Sequence, residues 1–121
     1  MINSILIPTF DLLQAECFYD GFLRLFGASK LIKSESSITW KNHGDSVAIV
    51  IHELAHHTKS KHNDTIIGFP ASTPNEVRLI YNAALRLGGR CAGKPSNNGY
   101  GDFSAYFYDA DSNKLGIFYF K

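Results

Sequence analysis

His52-Glu53-Leu54-Ala55-His56 spells H-E-x-x-H. In that string two histidines one helical turn apart hold zinc, and the glutamate acts as general base on the zinc-bound water. The chemistry requires a helix. The residues before it, Ser46 to Ile51, are rich in β-branched types and follow a Gly-Asp turn, so they predict a strand. After it, His57-Thr58-Lys59-Ser60-Lys61 offers no apolar stripe to continue a helix. In an extended chain His52 and His56 would lie about 13 Å apart, at roughly 3.3 Å per residue, too far to share one metal. The string therefore reads as a chance match at a strand end. A zinc hydrolase on His52, Glu53 and His56 stands as the alternative, which a helix beginning at His52 would restore. Fortuitous zinc or nickel binding by His52, His56, His57 and His62 is a separate reading.

Other reactive side chains are sparse. Tyr100, Tyr106, Tyr108 and His52 are the candidates for acid–base work without a metal, and for each a surface or packing role is the simpler account. Asp109 and Asp111 resemble a carboxylate pair, but at a hairpin turn such residues bond backbone amides. No phosphate-cradling glycine loop, nucleophile elbow or Cys/His dyad is present, so no catalytic residue is assigned. Cys17 and Cys91 are too few for a disulfide scaffold and read as reduced thiols of a cytoplasmic protein.

The elements that must position these residues are written twice. Residues 18–27, Phe-Tyr-Asp-Gly-Phe-Leu-Arg-Leu-Phe-Gly, return 62 residues later at 80–89 as Ile-Tyr-Asn-Ala-Ala-Leu-Arg-Leu-Gly-Gly, with five of ten positions identical. The same offset pairs Ile5 with Ile67 and Pro8 with Pro70. Units of about 60 residues are marginal alone, so the 121 residues predict one domain, with module one about 1–57 and module two about 62–121. Within module one the pattern predicts a strand at 4–9, a helix from Asp11 to about Phe26 and strands near 30–34, 36–42 and 46–53. Leu12, Leu13, Cys17, Phe18, Phe22, Leu25 and Phe26 form the expected buried stripe of that helix. Within module two it predicts a strand at 65–70 and a helix capped by Ser72 or Thr73 and ending at Gly88-Gly89. Strands near 90–94, 102–109 and 114–120 follow. Each half is βαβββ, an α+β architecture. The charge of +1, from 12 basic and 11 acidic residues, gives no field for nucleic acid or an anionic membrane. No apolar run reaches the roughly 20 residues of a membrane span, and the N-terminal run is too short for a signal peptide.

These features resemble the vicinal oxygen chelate superfamily, which includes glyoxalase I, bleomycin-resistance proteins, extradiol dioxygenases and fosfomycin-resistance enzymes. The resemblance rests on Ile5 to Asp11 leading into Phe18-Tyr19, on Ala83-Ala84-Leu85 with Gly88-Gly89, and on the tail Tyr106 to Phe118. The tail is similar to that family's aromatic strand, Asp-Pro-Asp-Gly-Asn turn and closing strand, with Ala110 for the proline and Ser112 for the glycine. The resemblance implies two tandem βαβββ modules forming an open, U-shaped mixed sheet with helices outside, a ligand cavity and a frequent homodimer. It also implies a divalent metal held by His and Glu. Carried over by position, those ligands fall on Ser4, Ile66 and Gly116, with a first-half counterpart at Ala48 or Val50. Serine is a poor ligand and the others offer no side-chain donor. A metal cofactor is therefore disfavoured, and the implied activity becomes capture of a small molecule. A glyoxalase-like lyase or dioxygenase using displaced ligands is the alternative.

The hairpin turns give the ligand face. Around 110–112, Tyr106 should pair with Gly116 and Ser104 with Phe118; around 43–45, Trp40 should pair with Ala48 and Ile38 with Val50. The expected ligand-binding set is Ser4, Trp40, Val50, Ile66, Tyr106, Gly116 and Phe118, suited to a flat, partly aromatic or apolar molecule. Trp40 and Tyr106 are the expected symmetry mates.

Overall fold

The computed structural model describes residues 1–44, 46–54, 65–97 and 102–121. The chain divides into two compact units, Met1–Ser60 and Lys61–Lys121. Module one runs β1 (Ser4–Thr9), α1 (Leu12–Arg24), β2 (Ala28–Lys33), β3 (Ser37–Asn42) and β4 (Ala48–Glu53). Module two repeats this order as β5 (Ile66–Pro70), α2 (Pro74–Arg86), β6 (Arg90–Ser96), β7 (Phe103–Tyr108) and β8 (Lys114–Tyr119). Each module builds its own four-stranded mixed sheet, ordered β1-β4-β3-β2 and β5-β8-β7-β6. In each, the first and last strands pair in parallel and the other neighbours are antiparallel. The α+β, βαβββ-twice reading holds. Strand ends differ from expectation by one or two residues, except that β6 continues through Pro95 to Ser96, where the sequence suggested a loop.

Both helices start on the expected caps. The Asp11 carboxylate accepts from the Gln14 amide at 3.1 Å, and the Thr73 hydroxyl accepts from the Glu76 amide at 3.0 Å with Pro74 in the first turn. Gly27, at φ +80°, turns the chain out of α1 in a backbone region that glycine enters without a Cβ clash.

The buried stripe of α1 is rotated from the sequence expectation. Leu12, Ala15, Glu16, Phe18, Tyr19, Phe22 and Leu23 are buried, whereas Leu13, Cys17 and Leu25 face outward. Glu16 explains the discrepancy. A carboxylate rarely belongs on an inner face unless paired, and here Lys30 Nζ (2.7 Å) and Lys33 Nζ (2.9 Å) reach it from β2. Hydrogen bonds from Lys30 and Lys33 hold the Glu16 carboxyl below its ordinary value of 4.5 despite burial. A carboxyl with a lowered folded-state pKa contributes stability above its unfolded value and loses it as pH falls through the folded value. The melting temperature of the wild type should therefore fall between about pH 5 and about pH 3 by more than that of Glu16→Gln. Equal slopes in a thermal-melt series would contradict this assignment.

In module one Ile7, Ile38, Trp40 and Ile51 are buried on the α1 side. In module two Val77, Ile80, Tyr81 and Ala84 of α2 are buried against β7 and β8, whose buried residues include Ala105, Phe107, Leu115 and Ile117. Phe69 of β5 pairs with Ile117 on the same face. Because strand side chains alternate, the residues between these point to the opposite, helix-free face of each sheet. Among the described residues no helix is long and apolar enough to cross a membrane.

Candidate functional site

The β7–β8 hairpin is built on Asp109. Its buried carboxylate accepts from the amides of Asp111 (2.9 Å) and Asn113 (2.9 Å) and from Asn113 Nδ2 (2.8 Å). It is a turn residue, as the sequence suggested, and is not available as a catalytic acid. Ser112, where the related turn has glycine, adopts φ +65°. This hairpin fixes the register: Tyr106 pairs with Gly116 and Ser104 with Phe118, as expected. Parallel pairing with β5 then sets Gly68 beside Gly116 and Ile66 beside Lys114.

The result is a row of glycines across the helix-free face, Gly68 on β5, Gly116 on β8 and Gly93 on β6, with Tyr106 of β7 between the last two. Missing side chains let rings lie against the backbone. A Cβ on Gly116 would meet the Phe118 ring at 2.7 Å and Tyr106 Cε1 at 3.2 Å; one on Gly68 would meet Phe118 at 2.7 Å; one on Gly93 would meet Tyr106 at 3.0 Å. The Tyr106 and Phe118 rings meet edge to face at 5.6 Å, and Phe118 stacks on Phe120 at 6.1 Å. Beside Phe118 lies a groove of about 450 Å³ lined by Gly68, Phe69, Pro70, Ala71, Phe118 and Phe120. Phe120 is 64 % exposed at its rim.

Three of the expected ligand residues, Tyr106, Gly116 and Phe118, thus come together, and Ile66 shares their face. Gly68 and Phe120 were missed. The signal for Gly68 was available, because it lies two residues beyond Ile66 on the same strand face.

Module one departs from expectation by one residue of register. β3 pairs Lys41 with Ala48, Trp40 with Ile49, Thr39 with Val50 and Ile38 with Ile51. A one-residue slip reverses the face of every side chain on the strand, so Trp40 is not a ligand-face residue. It is 1 % exposed, on the α1 side, and its Nε1 donates to Asp20 Oδ1 at 2.8 Å. Burial works against the Asp20 carboxylate, but the bonds from Trp40 and Lys30 outweigh it and lower its pKa. The symmetry mate of Tyr106 is Thr39, and that of Trp40 is Phe107. Ser4 and Val50 do lie on the helix-free face, half-buried. The ladders also resolve the first-half counterpart of Gly116. Leu6 pairs with Val50 as Gly68 pairs with Gly116, so the position is Val50 and not Ala48.

β4 remains a strand through His52 and Glu53, paired with β1 and β3. The two side chains therefore point to opposite faces. His52 sits on the helix-free face between Pro8 and Ser37, while Glu53 Oε1 accepts from the Leu12 amide at the start of α1 (3.4 Å). The helix that a zincin site needs is not formed at His52-Glu53. His56, His57 and His62, like Tyr100, lie outside the described residues. Burial, then its bond with Cys91, pushes the Tyr81 phenol up to about 12. A phenol that keeps its proton throughout neutral pH is a poor general base.

The positions that would hold a divalent metal do not fit one. Val50, Ile66 and Gly116 present no donor, and the space above Gly116 is filled by the Phe118 ring. Among the described residues no group of three His, Cys, Asp or Glu side chains converges.

Two βαβββ modules in tandem, each with its helix on one sheet face, define the glyoxalase/bleomycin-resistance fold. The chain is similar over its full length to solved structures of that class. A glyoxalase/bleomycin resistance protein from Albidiferax ferrireducens matches with TM-score 0.81 and 22% identity, covering 100% of this chain and 99% of that one. A glyoxalase-related enzyme from Fulvimarina pelagi matches with TM-score 0.82 and 14% identity, covering 98% and 87%. The fosfomycin resistance protein FosX from Listeria monocytogenes matches with TM-score 0.77 and 21% identity, covering 100% and 93%. At these identities the likeness establishes the fold. No protein-family model and no curated protein sequence matches the chain.

Proposed function

We propose that this protein binds a small, partly aromatic or apolar molecule on the helix-free face of module two, without a divalent metal at Ser4, Val50, Ile66 and Gly116. The observation that carries this reading is the glycine row, which lets the rings of Tyr106 and Phe118 lie on the sheet beside an apolar groove. Concave apolar surfaces with a few polar groups are where small ligands bind. A lyase or dioxygenase on displaced ligands draws no support from His52 and Glu53, which diverge. In saturation-transfer NMR with biphenylmethanol as probe, Phe118→Ala and Phe120→Ser are expected to weaken binding about tenfold, the scale of one lost ring contact. Unchanged binding in both variants would overturn the site. Native mass spectrometry tests the other half, since a stoichiometric divalent ion removed by Ser4→Ala would overturn the metal-free reading. A homodimer is part of the same proposal, and a light-scattering mass equal to a single chain would contradict it.

A further inference from the structure

The helix-free face of module two is not uniformly apolar. One ladder step from the glycine row, Lys114 of β8 stands between Ile66 of β5 and Tyr108 of β7, and Arg90 of β6 stands beyond Tyr108. Lys114 Nζ lies 5.1 Å from the centre of the Tyr106 ring, the ring that contacts Phe118. The Arg90 guanidinium lies 5.4 Å from the Tyr108 ring, and its Nη2 donates to Ser112 Oγ at 2.8 Å.

Both cations are held by aromatic faces, and among the described residues no carboxylate is paired with Lys114. No ion pair joins a described carboxylate of module two to Lys114 or Arg90, although Asp109 and Asp111 lie in the turn that precedes Lys114 and holds Ser112. Glu76 is in the first turn of α2, Asp102 accepts from the Lys121 amide, Asp109 is enclosed by its turn and Asp111 is in the same turn. The surface is therefore an aromatic floor with a positive border. An ammonium resting on a ring keeps its capacity to bind an oxyanion, and among the described residues Lys114 has no carboxylate partner.

Resting on the binding role proposed above, we infer that the ligand is an arene carrying an oxyanion. Its ring would lie against Phe118 and Phe120, and its carboxylate or equivalent oxyanion would be bound by Lys114. Tyr106 bridges the two ends, 5.1 Å from the cation and 5.6 Å from Phe118, which suits a rigid molecule of two rings or fewer. Arg90, already engaged by Ser112, supplies longer-range attraction.

The test compares biphenylcarboxylate with its neutral analogue biphenylmethanol, by titration calorimetry on the full chain at low ionic strength. The carboxylate should bind about tenfold more tightly, the scale of one charge-assisted hydrogen bond. Lys114→Gln should reduce that ratio to about twofold or less while leaving the alcohol unchanged, and Lys114→Arg should retain most of it. The preference should also shrink in high salt. Equal binding of both probes to the wild type would overturn the oxyanion inference while the apolar site stands. A carboxylate preference that survives Lys114→Gln would overturn the assignment to Lys114. Failure of both probes to bind would overturn this inference and the binding role together.

Discussion

Trp40→Ala is expected to lower the unfolding free energy by about 3–5 kcal/mol, the range for deleting a large ring from a packed core. Trp40 is 1 % exposed, lies among Tyr19, Ile38 and Ile51 in module one and donates its indole N–H to Asp20. Trp40→Phe keeps most of the volume but removes that donor from a carboxylate also paired with Lys30, at a cost of about 1–2 kcal/mol. Urea unfolding followed by circular dichroism measures both. The two substitutions also separate a core role from the ligand role that the sequence suggested. Trp40→Phe should leave binding of an aromatic probe within about twofold of wild type, whereas a ligand-face residue would change it by tenfold or more. Well-folded Trp40→Phe protein that had lost binding would return Trp40 to the site.

The sequence misplaced Trp40 and correctly placed Tyr106 because the two hairpins differ in how tightly their turns are specified. At 109–113 the Asp109 carboxylate collects two amides and the Asn113 side chain, so the centre of the turn is legible and the register follows. At 42–47 no such anchor is visible in the residue types, and a turn centred on Gly44 pairs Trp40 with Ala48, one residue out of step. Composition could not correct the error, since a tryptophan suits a ligand face and a core equally well. The same ambiguity affected α1. Leu12 and Leu13 are adjacent, so the helix phase turned on whether Glu16 could be buried, and its two lysine partners come from β2, at positions 30 and 33. Local repetition was readable; contacts made across the sheet were not. The H-E-x-x-H string shows the converse, because its β-branched approach outweighed the motif and β4 is extended there. For Gly68 the strand face was legible, two residues beyond Ile66, but its weight was not. That lies in Gly116 beside it and in the ring they share, a contact made across the sheet.

That shared ring gives the second large effect. Gly116→Ala should cost little stability yet weaken aromatic-ligand binding by tenfold or more. A Cβ at 116 would stand 2.7 Å from Phe118 Cε2 and 2.8 Å from Cζ, closer than real Cβ contacts permit. The obstructing atoms are the far end of a half-buried side chain, so the ring can swing away from the glycine row, and the backbone need not distort. The cost is then the lost contacts of one ring with Tyr106 and Phe120, about 1 kcal/mol. The groove beside it loses its wall in the same movement. A double-mutant cycle isolates this mechanism. In a Phe118→Ala background there is no ring to displace, so adding Gly116→Ala should change stability and affinity by only a few tenths of a kcal/mol beyond Phe118→Ala alone. Additive losses would mean that Gly116→Ala acts through Tyr106, which its Cβ would meet at 3.2 Å, or through the backbone rather than through Phe118. Gly68→Ala provides the control, because it meets the same ring at 2.7 Å from the neighbouring strand. It should reproduce the Gly116→Ala phenotype and share its dependence on Phe118, which ties the two glycines to one aromatic ring and not to two separate defects.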